Sequence, residues 1–253
     1  MVTGSTGGIG EGIAKRFAAE GATVIVNGRR GDQAERVAAE IHQTGGKAIV
    51  AVGDLSDDAA TARVIDLAQA ELRAIDILVN NAAGGEHQDD MTSPPSQWAA
   101  AYNINVLSMV RLMQRLLPAM QEQGWGRIIN ISSAAAIKPP AGMGAYSTTK
   151  AAVLNLTVAM AQAMKGDGVT INSVSPGAIL TPNMVEMGLA QSMGKTAAEV
   201  EAAMNQMMGD IPFARMGQVD EIASVVVFLA SELASYVHGA NIRVDGGYVP
   251  TIN

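Results

Sequence analysis

Short runs of apolar, β-branched residues alternate along this chain with longer stretches in which apolar positions recur every three or four residues. The runs are Thr23–Asn27, Lys47–Val52, Ile75–Asn80, Arg127–Ile131, Val169–Val174 and Asn241–Val244. Several are apolar at consecutive positions instead of alternating, the pattern of strands covered on both faces. The helical stretches between them are Ile9–Glu20, Asp32–Gln43, Asp57–Leu72, Gln97–Gln123, Tyr146–Met164 and Asp220–Leu229. This alternation predicts a single-domain, doubly wound α/β fold of Rossmann type, with a parallel sheet and helices on both faces, because parallel strands need right-handed crossovers. No linker, repeat or low-complexity segment divides the chain.

The start of the chain departs from that pattern. Thr3-Gly4-Ser5-Thr6-Gly7-Gly8-Ile9-Gly10 reads as the glycine turn between a first strand and a first helix, yet Met1 and Val2 alone precede it. A central strand usually has about five residues. The expectation is a truncated first strand, completed in the natural protein by about five to ten further apolar residues before Met1, on that strand length. The turn itself suits a phosphate: glycines let the backbone approach a pyrophosphate, which then lies on the free N–H groups of a helix N-terminus. The spacing Gly4, Gly8, Gly10 is not G-x-G-x-x-G, so the turn alone is a weak signal.

The second strand ends in Val26-Asn27-Gly28-Arg29-Arg30. A site for NAD usually has a carboxylate there, about 20 residues beyond the turn, for the ribose 2′-hydroxyl. Two guanidiniums instead suit the 2′-phosphate of NADP, with NAD as the alternative. Asp54 and Leu55 follow the third strand and Asn80-Asn81-Ala82-Ala83-Gly84-Gly85 the fourth. There a carboxylate can meet an adenine amino group, and small residues admit a flat ligand.

The richest stretch runs from Ser132-Ser133, at the end of a buried strand, to Tyr146-x-x-x-Lys150 at the start of a helix. Residues four apart lie on one face of a helix, one turn apart. An ammonium beside a phenol favours phenolate, so Lys150 is expected to lower the pKa of Tyr146 from its ordinary value of about 10. Ser133 is placed to aim a hydroxyl at the same point.

Composition narrows the classes. The chain has 253 residues, 48% hydrophobic and 16% charged, with net charge −7 and no cysteine. Disulfides and thiolate metal sites are excluded, and His42, His87 and His238 lack ligand spacing, so no metal is expected. No basic cluster points to nucleic acid, no apolar run is long enough for a membrane span, and no signal segment is visible, so the expected location is the cytoplasm.

Together, Thr3-Gly-x-x-x-Gly8-x-Gly10, Asp54, Asn80-Asn81-Ala82, Asn105, Ser133, Tyr146-x-x-x-Lys150, Pro176-Gly177 with Thr181, and Asp245-Gly246-Gly247 resemble the short-chain dehydrogenase/reductase family over nearly the whole chain. One departure is Asn-Asn-Ala-Ala in place of Asn-Asn-Ala-Gly. The resemblance implies catalysis by Asn105, Ser133, Tyr146 and Lys150. Tyr146 would be the acid/base, Ser133 would hold the carbonyl, Lys150 would also hold the nicotinamide ribose, and Asn105 would keep a water in line. Asn105 could instead satisfy a backbone group. The resemblance places the cofactor on Gly4, Ser5, Thr6, Gly8, Ile9, Gly10, Arg29, Arg30, Asp54, Leu55, Asn81, Ala82, Tyr146, Lys150, Pro176, Gly177, Ile179 and Thr181. It further implies a homotetramer. Two interfaces are expected, one from Gln97–Gln123 with Tyr146–Met164, the other near Val225–Ala230 and the last strand.

The substrate is expected to be an apolar carbonyl or secondary alcohol. Residues 182–210, with Met184, Met187, Met193, Met204, Met207 and Met208, suit a lid, since methionine fills irregular apolar space. Ile137, Pro139, Pro140 and Met143 suit a facing wall, with Lys138 in solvent. Alternatives are 3-oxoacyl reduction on an acyl carrier or coenzyme A, an NAD-dependent alcohol dehydrogenase, and a non-catalytic dinucleotide sensor. A sensor would not need Ser133, Tyr146 and Lys150 together. A divergent enoyl reductase would space tyrosine and lysine more widely, and an epimerase-type relative would be longer.

Overall fold

The computed structural model describes residues 1–84, 92–164, 166–182, 184–186, 194–206 and 211–252. In chain order come α1 (Gly8–Ala19), β1 (Thr23–Gly28), α2 (Gly31–Gln43), β2 (Lys47–Val52), α3 (Asp58–Glu71), β3 (Ile77–Asn80), α4 (Pro95–Tyr102) and α5 (Ser108–Glu122). Then follow β4 (Gly126–Ile131), α6 (Gly144–Ala163), β5 (Val169–Pro176), the short pair β6 (Ile179–Leu180) and β7 (Gly217–Gln218), with α7 (Ala197–Gln206) between them, α8 (Val219–Ala230) and β8 (Asn241–Val244). A π-helical turn, Asn103–Leu107, separates α4 from α5.

The strands pair in parallel as β2-β1 and as β3-β4-β5-β8. Val2 joins the two groups, bridging Val26 on one side and Val79 on the other. Val2 N–H donates to Ile25 O at 3.1 Å, Thr3 N–H to Val79 O at 3.0 Å, and Val79 N–H to Met1 O at 2.8 Å. Beside Met1 a cavity of about 250 Å³ opens between β1 and β3, bordered by Phe17, Thr23 and Leu72. The glycine turn is thus fed from the middle of the sheet by two residues.

The two faces of the sheet carry separate cores, because successive strand residues point to opposite sides. Ile25, Leu78, Ile128 and Ile171 face α3, α5 and α6, where Met109, Leu112, Met113 and Leu116 meet them. Val24, Val26, Val79, Ile129 and Val174 face α1, α2 and α8, against Ile13, Phe17, Val37 and Val226. Each such side chain, withdrawn from water, contributes about 1.5–3 kcal/mol. Helix α1 lies so close to α8 that a Cβ on Gly12 would collide with Val219 Cγ1.

The expected fold is present, with two differences in its elements. The stretch 97–123 is two α-helices joined by the π-turn, not one helix. The pair β6–β7 was not anticipated. Of the expected lid, positions 183, 187–193 and 207–210 lie outside the described residues, and with them Met187, Met193, Met207 and Met208. No described helix is long and apolar enough to cross a membrane.

Candidate active site

At the end of the Met1–Val2 bridge the chain turns through Gly4, whose φ of 60° is a left-handed conformation. Thr3 and Asn81 fix this turn. Thr3 Oγ1 accepts from Asn81 N–H and Ala82 N–H, both at 2.9 Å, and Asn81 Nδ2 donates to Thr3 O at 2.9 Å and Gly4 O at 3.2 Å. Gly10 is under the turn: a Cβ there would overlap Asn81 Nδ2 and lie 2.5 Å from Gly4 O. The turn ends at α1, whose N-cap Gly7 brings no side chain to the first helical turn. Its free N–H groups and the helix dipole suit an anion.

A cleft of about 700 Å³ runs from this turn across the ends of β1, β2 and β3. Gly4, Thr6, Gly8, Arg29, Arg30, Asp54, Leu55 and Ala82 border it, which brings together the expected cofactor residues from four separate segments. Arg29 and Arg30 are exposed at its rim. Asp54 accepts from Ser56 N–H at 2.9 Å and Ser56 Oγ at 2.8 Å. These bonds, with Arg29 nearby, hold its carboxyl below the usual carboxylate range. Two expected residues turn inward. Ser5 is fully buried and its hydroxyl donates to Val2 O at 2.7 Å, while the Leu55 side chain is in the core. Either can meet a ligand only through its backbone.

The second half of the site forms at the end of β4. Ser133 caps a 3₁₀ turn, Ala134–Ala136, accepting from Ala135 N–H at 3.1 Å. Its hydroxyl also shares a hydrogen bond with the phenol of Tyr146. Lys150 is 1% exposed, and its Nζ donates to Ile131 O at 2.9 Å and lies 5.6 Å from the centre of the Tyr146 ring. Ser132 completes the join by donating to Lys150 O at 2.8 Å. Burial lowers the Lys150 pKa to about 8. Burial also raises that of Tyr146, against the pull of the Ser133 hydrogen bond. The expectation that Lys150 lowers Tyr146 is therefore corrected for this geometry: the ammonium is bound to a carbonyl, and loss of water around the phenol outweighs it.

Asn105 falls in the π-turn and is fully buried. Its Oδ1 accepts from Gly84 N–H at 2.9 Å and its Nδ2 donates to Thr149 Oγ1 at 3.0 Å. Thr149 in turn donates to Tyr146 O at 2.7 Å. Asn105 thus satisfies a backbone group and ties the loop after β3 to α6.

Beyond β5, Gly177 is pressed on Asp245, 2.8 Å from Cβ position to Cα, so the turn after Pro176 admits no side chain. Ile179 is buried beside Gly217, and Thr181 Cγ2 lies 3.7 Å from the Cβ position of Gly8, next to the glycine turn. Lys138 is exposed, as expected from sequence, and it also has partners at the surface. Its Nζ donates to Tyr248 O at 3.2 Å and sits 3.9 Å from the centre of the Tyr248 ring. Thr3, Asn27, Asn103 and Thr149 were not anticipated as side chains that shape the site. Thr3 opens the glycine motif and Asn27 is polar within an apolar strand, whereas Asn103 and Thr149 carry no signal beyond being polar.

A family model described as enoyl-(acyl carrier protein) reductase matches residues 4–249. The uncharacterized oxidoreductase YvrD of Bacillus subtilis (strain 168) is 38% identical over 257 residues, covering 100% of this chain and 96% of the relative. The 7alpha-hydroxysteroid dehydrogenase of Escherichia coli (strain K12) is 35% identical over 254 residues, covering 100% and 94%. The crystal structure of L-sorbose reductase from Gluconobacter frateurii, complexed with NADPH and L-sorbose, superposes with a TM-score of 0.92 at 29% identity, covering 99% of this chain and 96% of that one. With an uncapped glycine turn, a serine–tyrosine pair over a buried lysine, and relatives matching from end to end, the chain belongs to the short-chain dehydrogenase/reductase family.

Proposed function

We propose that the protein is an NADP-dependent oxidoreductase that transfers a hydride between the nicotinamide and a carbonyl or secondary alcohol of an apolar small molecule. The observation that carries this reading is the Tyr146–Ser133 hydrogen bond beside buried Lys150, on the same edge of the sheet as the glycine turn. The cleft fits a dinucleotide phosphate. Gly4 and Gly10 let the turn close on Ala82 and Asn81 where a Cβ would collide, no side chain caps α1, and Arg29 and Arg30 flank the site where a carboxylate would select NAD.

In this reading the backbone of Gly4 to Gly10, including Ser5, Thr6 and Ile9, cradles the pyrophosphate, and Arg29 with Arg30 holds the 2′-phosphate. Asp54, Leu55, Asn81 and Ala82 border the adenosine, and Pro176, Gly177, Ile179 and Thr181 border the nicotinamide. When bound, the cofactor supplies the hydride. At neutral pH the raised pKa of Tyr146 keeps its phenol protonated, and Lys150, at about 8, remains mostly charged. Ser133 donates to the substrate oxygen and fixes it. Tyr146 gives that oxygen its proton during reduction, the Ser133 hydroxyl beside it steadies the phenolate left behind, and Lys150 holds the nicotinamide ribose. A water kept in line beside Asn105 for the returning proton remains part of the reading. Residues 182–210 are assigned to cover the substrate.

The proposed assembly is a homotetramer, acting in the cytoplasm. Leu107 on the π-turn and Val158 on α6 are 38% and 48% exposed, and Phe228 on α8 is 44% exposed, which supports apolar contacts on both expected faces. The test of function is a panel of ketones, secondary alcohols and 3-oxoacyl thioesters offered with NADPH and NADP and followed at the nicotinamide absorbance. Turnover of at least one class is expected. No turnover across the panel, with no NADPH binding by titration, overturns the reading.

A further inference from the structure

The first residue after the β1 core is a glycine, and the reason is space. Gly28 does not adopt a left-handed conformation, so its backbone would accept any residue. A Cβ built on it, however, collides with Thr6 Cγ2 and lies 2.8 Å from Thr6 Oγ1 and 3.2 Å from Thr6 Cβ. Rotating Thr6 about χ1 does not remove the last contact, and a β-branched residue has few rotamers to offer. Nor is the Thr6 backbone loose: Arg36 Nη2 donates to Thr6 O at 3.3 Å, and Arg36 is itself held by Glu11 at 2.7 Å and Glu40 at 2.8 Å. Thr6, Gly28 and Arg29 border the same cleft.

We propose that Thr6 is a second determinant of cofactor choice, coupled to Gly28: its side chain fills the space that any side chain at position 28 requires. This rests on the NADP reading of the cleft and adds a residue to it. A carboxylate that grips the ribose hydroxyls of NAD normally stands near the end of this strand. Here Thr6 excludes it sterically, so rejection of NAD is written in the pair and not at position 28 alone. Arg36 is a positioning residue that keeps Thr6 over Gly28, and its own charge is met by Glu11 and Glu40, which leaves Arg29 and Arg30 as the guanidiniums for the 2′-phosphate.

The experiment compares wild type, Thr6→Ala, Gly28→Asp and the double variant, each titrated with NADH and NADPH by nicotinamide fluorescence, which reads binding without turnover. Gly28→Asp alone is expected to tighten NADH by less than about threefold. The same substitution in the Thr6→Ala background is expected to tighten it at least tenfold, so the two gains differ by at least about threefold, a coupling of about 0.7 kcal/mol or more. Equal gains in both backgrounds overturn the proposal. A wild type that prefers NADH overturns the cofactor reading instead, and the steric pair is then judged by melting alone. Gly28→Ala should lower the melting temperature by about 4 °C or more with Thr6 present and by much less with Thr6→Ala, on the cost of overpacking. Equal losses in the two backgrounds overturn the pair whatever the cofactor, and this smaller cycle also serves if Gly28→Asp fails to fold.

Discussion

Replacing Lys150 by Met separates stability from chemistry at this site. Lys150 is almost completely buried, and burial takes its pKa from 10.5 to about 8. Below pH 8 both the folded and the unfolded chain carry the charge, and the folded one bears the cost of hiding it. Between pH 8 and 10.5 the unfolded chain binds more protons, so stability rises with pH across that window. The whole shift corresponds to about 3 kcal/mol, of which roughly half is released between pH 7.5 and 9.5. Tyr146 does not interfere, because its raised pKa costs stability only above its ordinary value of 10. Lys150→Met removes the buried charge but also the bond to Ile131 O, which as a charged hydrogen bond contributes about 1.5–3 kcal/mol. At pH 7.5 these nearly cancel, and the variant should lie within about 2 kcal/mol of wild type while losing turnover. The assay is urea unfolding of both proteins at the two pH values. Wild type should gain about 2 kcal/mol on the variant from pH 7.5 to 9.5. A gap between them that does not change with pH would refute the argument that Lys150 is a costly buried cation.

Three further substitutions probe the other parts of the site. Tyr146→Phe keeps the ring and removes the proton donor, so kcat should fall by about 10²–10⁴-fold with NADPH binding unchanged by titration; a tenth of the wild-type rate would exclude Tyr146 as the acid. Arg29→Ala should weaken NADPH at least about tenfold, about 1.4 kcal/mol, and leave NADH nearly unchanged, whereas equal weakening of both would remove Arg29 from the 2′-phosphate. Gly10→Ala places a methyl group against Asn81 Nδ2 and Gly4 O, so it should destabilise the fold by about 1–3 kcal/mol and weaken both cofactors together, measured by melting and titration.

Which of these features could be read in advance follows from their physical origin. Strand and helix order is legible because burial on both sheet faces forces continuous apolar runs such as Val24–Val26 and Ile128–Ile129. The Tyr146–Lys150 pair is legible because a single helical turn fixes its spacing. The π-turn at Asn103–Leu107 is not legible from hydropathy, since a change of register over a single turn leaves too few apolar positions to mark it. Two poor helix formers, Asn103 and Asn105, in an otherwise helical stretch are its trace. The direction of the Tyr146 shift depends on how much water burial removes and on where the Lys150 ammonium is tied, and neither is a local property. Likewise Gly28 reads in the sequence as a missing carboxylate, whereas its contact with Thr6, 22 positions earlier, exists only once β1 lies beside the glycine turn.

The loop after β3 explains how two sites built on distant segments keep a common geometry. Four hydrogen bonds tie its first two residues, Asn81 and Ala82, to the glycine turn. Its last described residue, Gly84, is bound to Asn105, which is bound to Thr149, which is bound to the carbonyl of Tyr146. A continuous path of short polar contacts therefore runs from the glycine turn to the helix that carries Tyr146 and Lys150. Hydride transfer needs reacting atoms within about 3–3.5 Å, and a misplacement of about 1 Å can cost a hundredfold in rate. Helix packing alone tolerates shifts of that size when side chains repack. Directional bonds do not, and where the groups are buried, as between Asn105 and Thr149, breaking one leaves an unpaired polar atom that costs about 1–3 kcal/mol. The π-turn matters here: it brings a polar residue of an otherwise amphipathic helix inward, where it joins the loop after β3 to the helix that carries Tyr146 and Lys150.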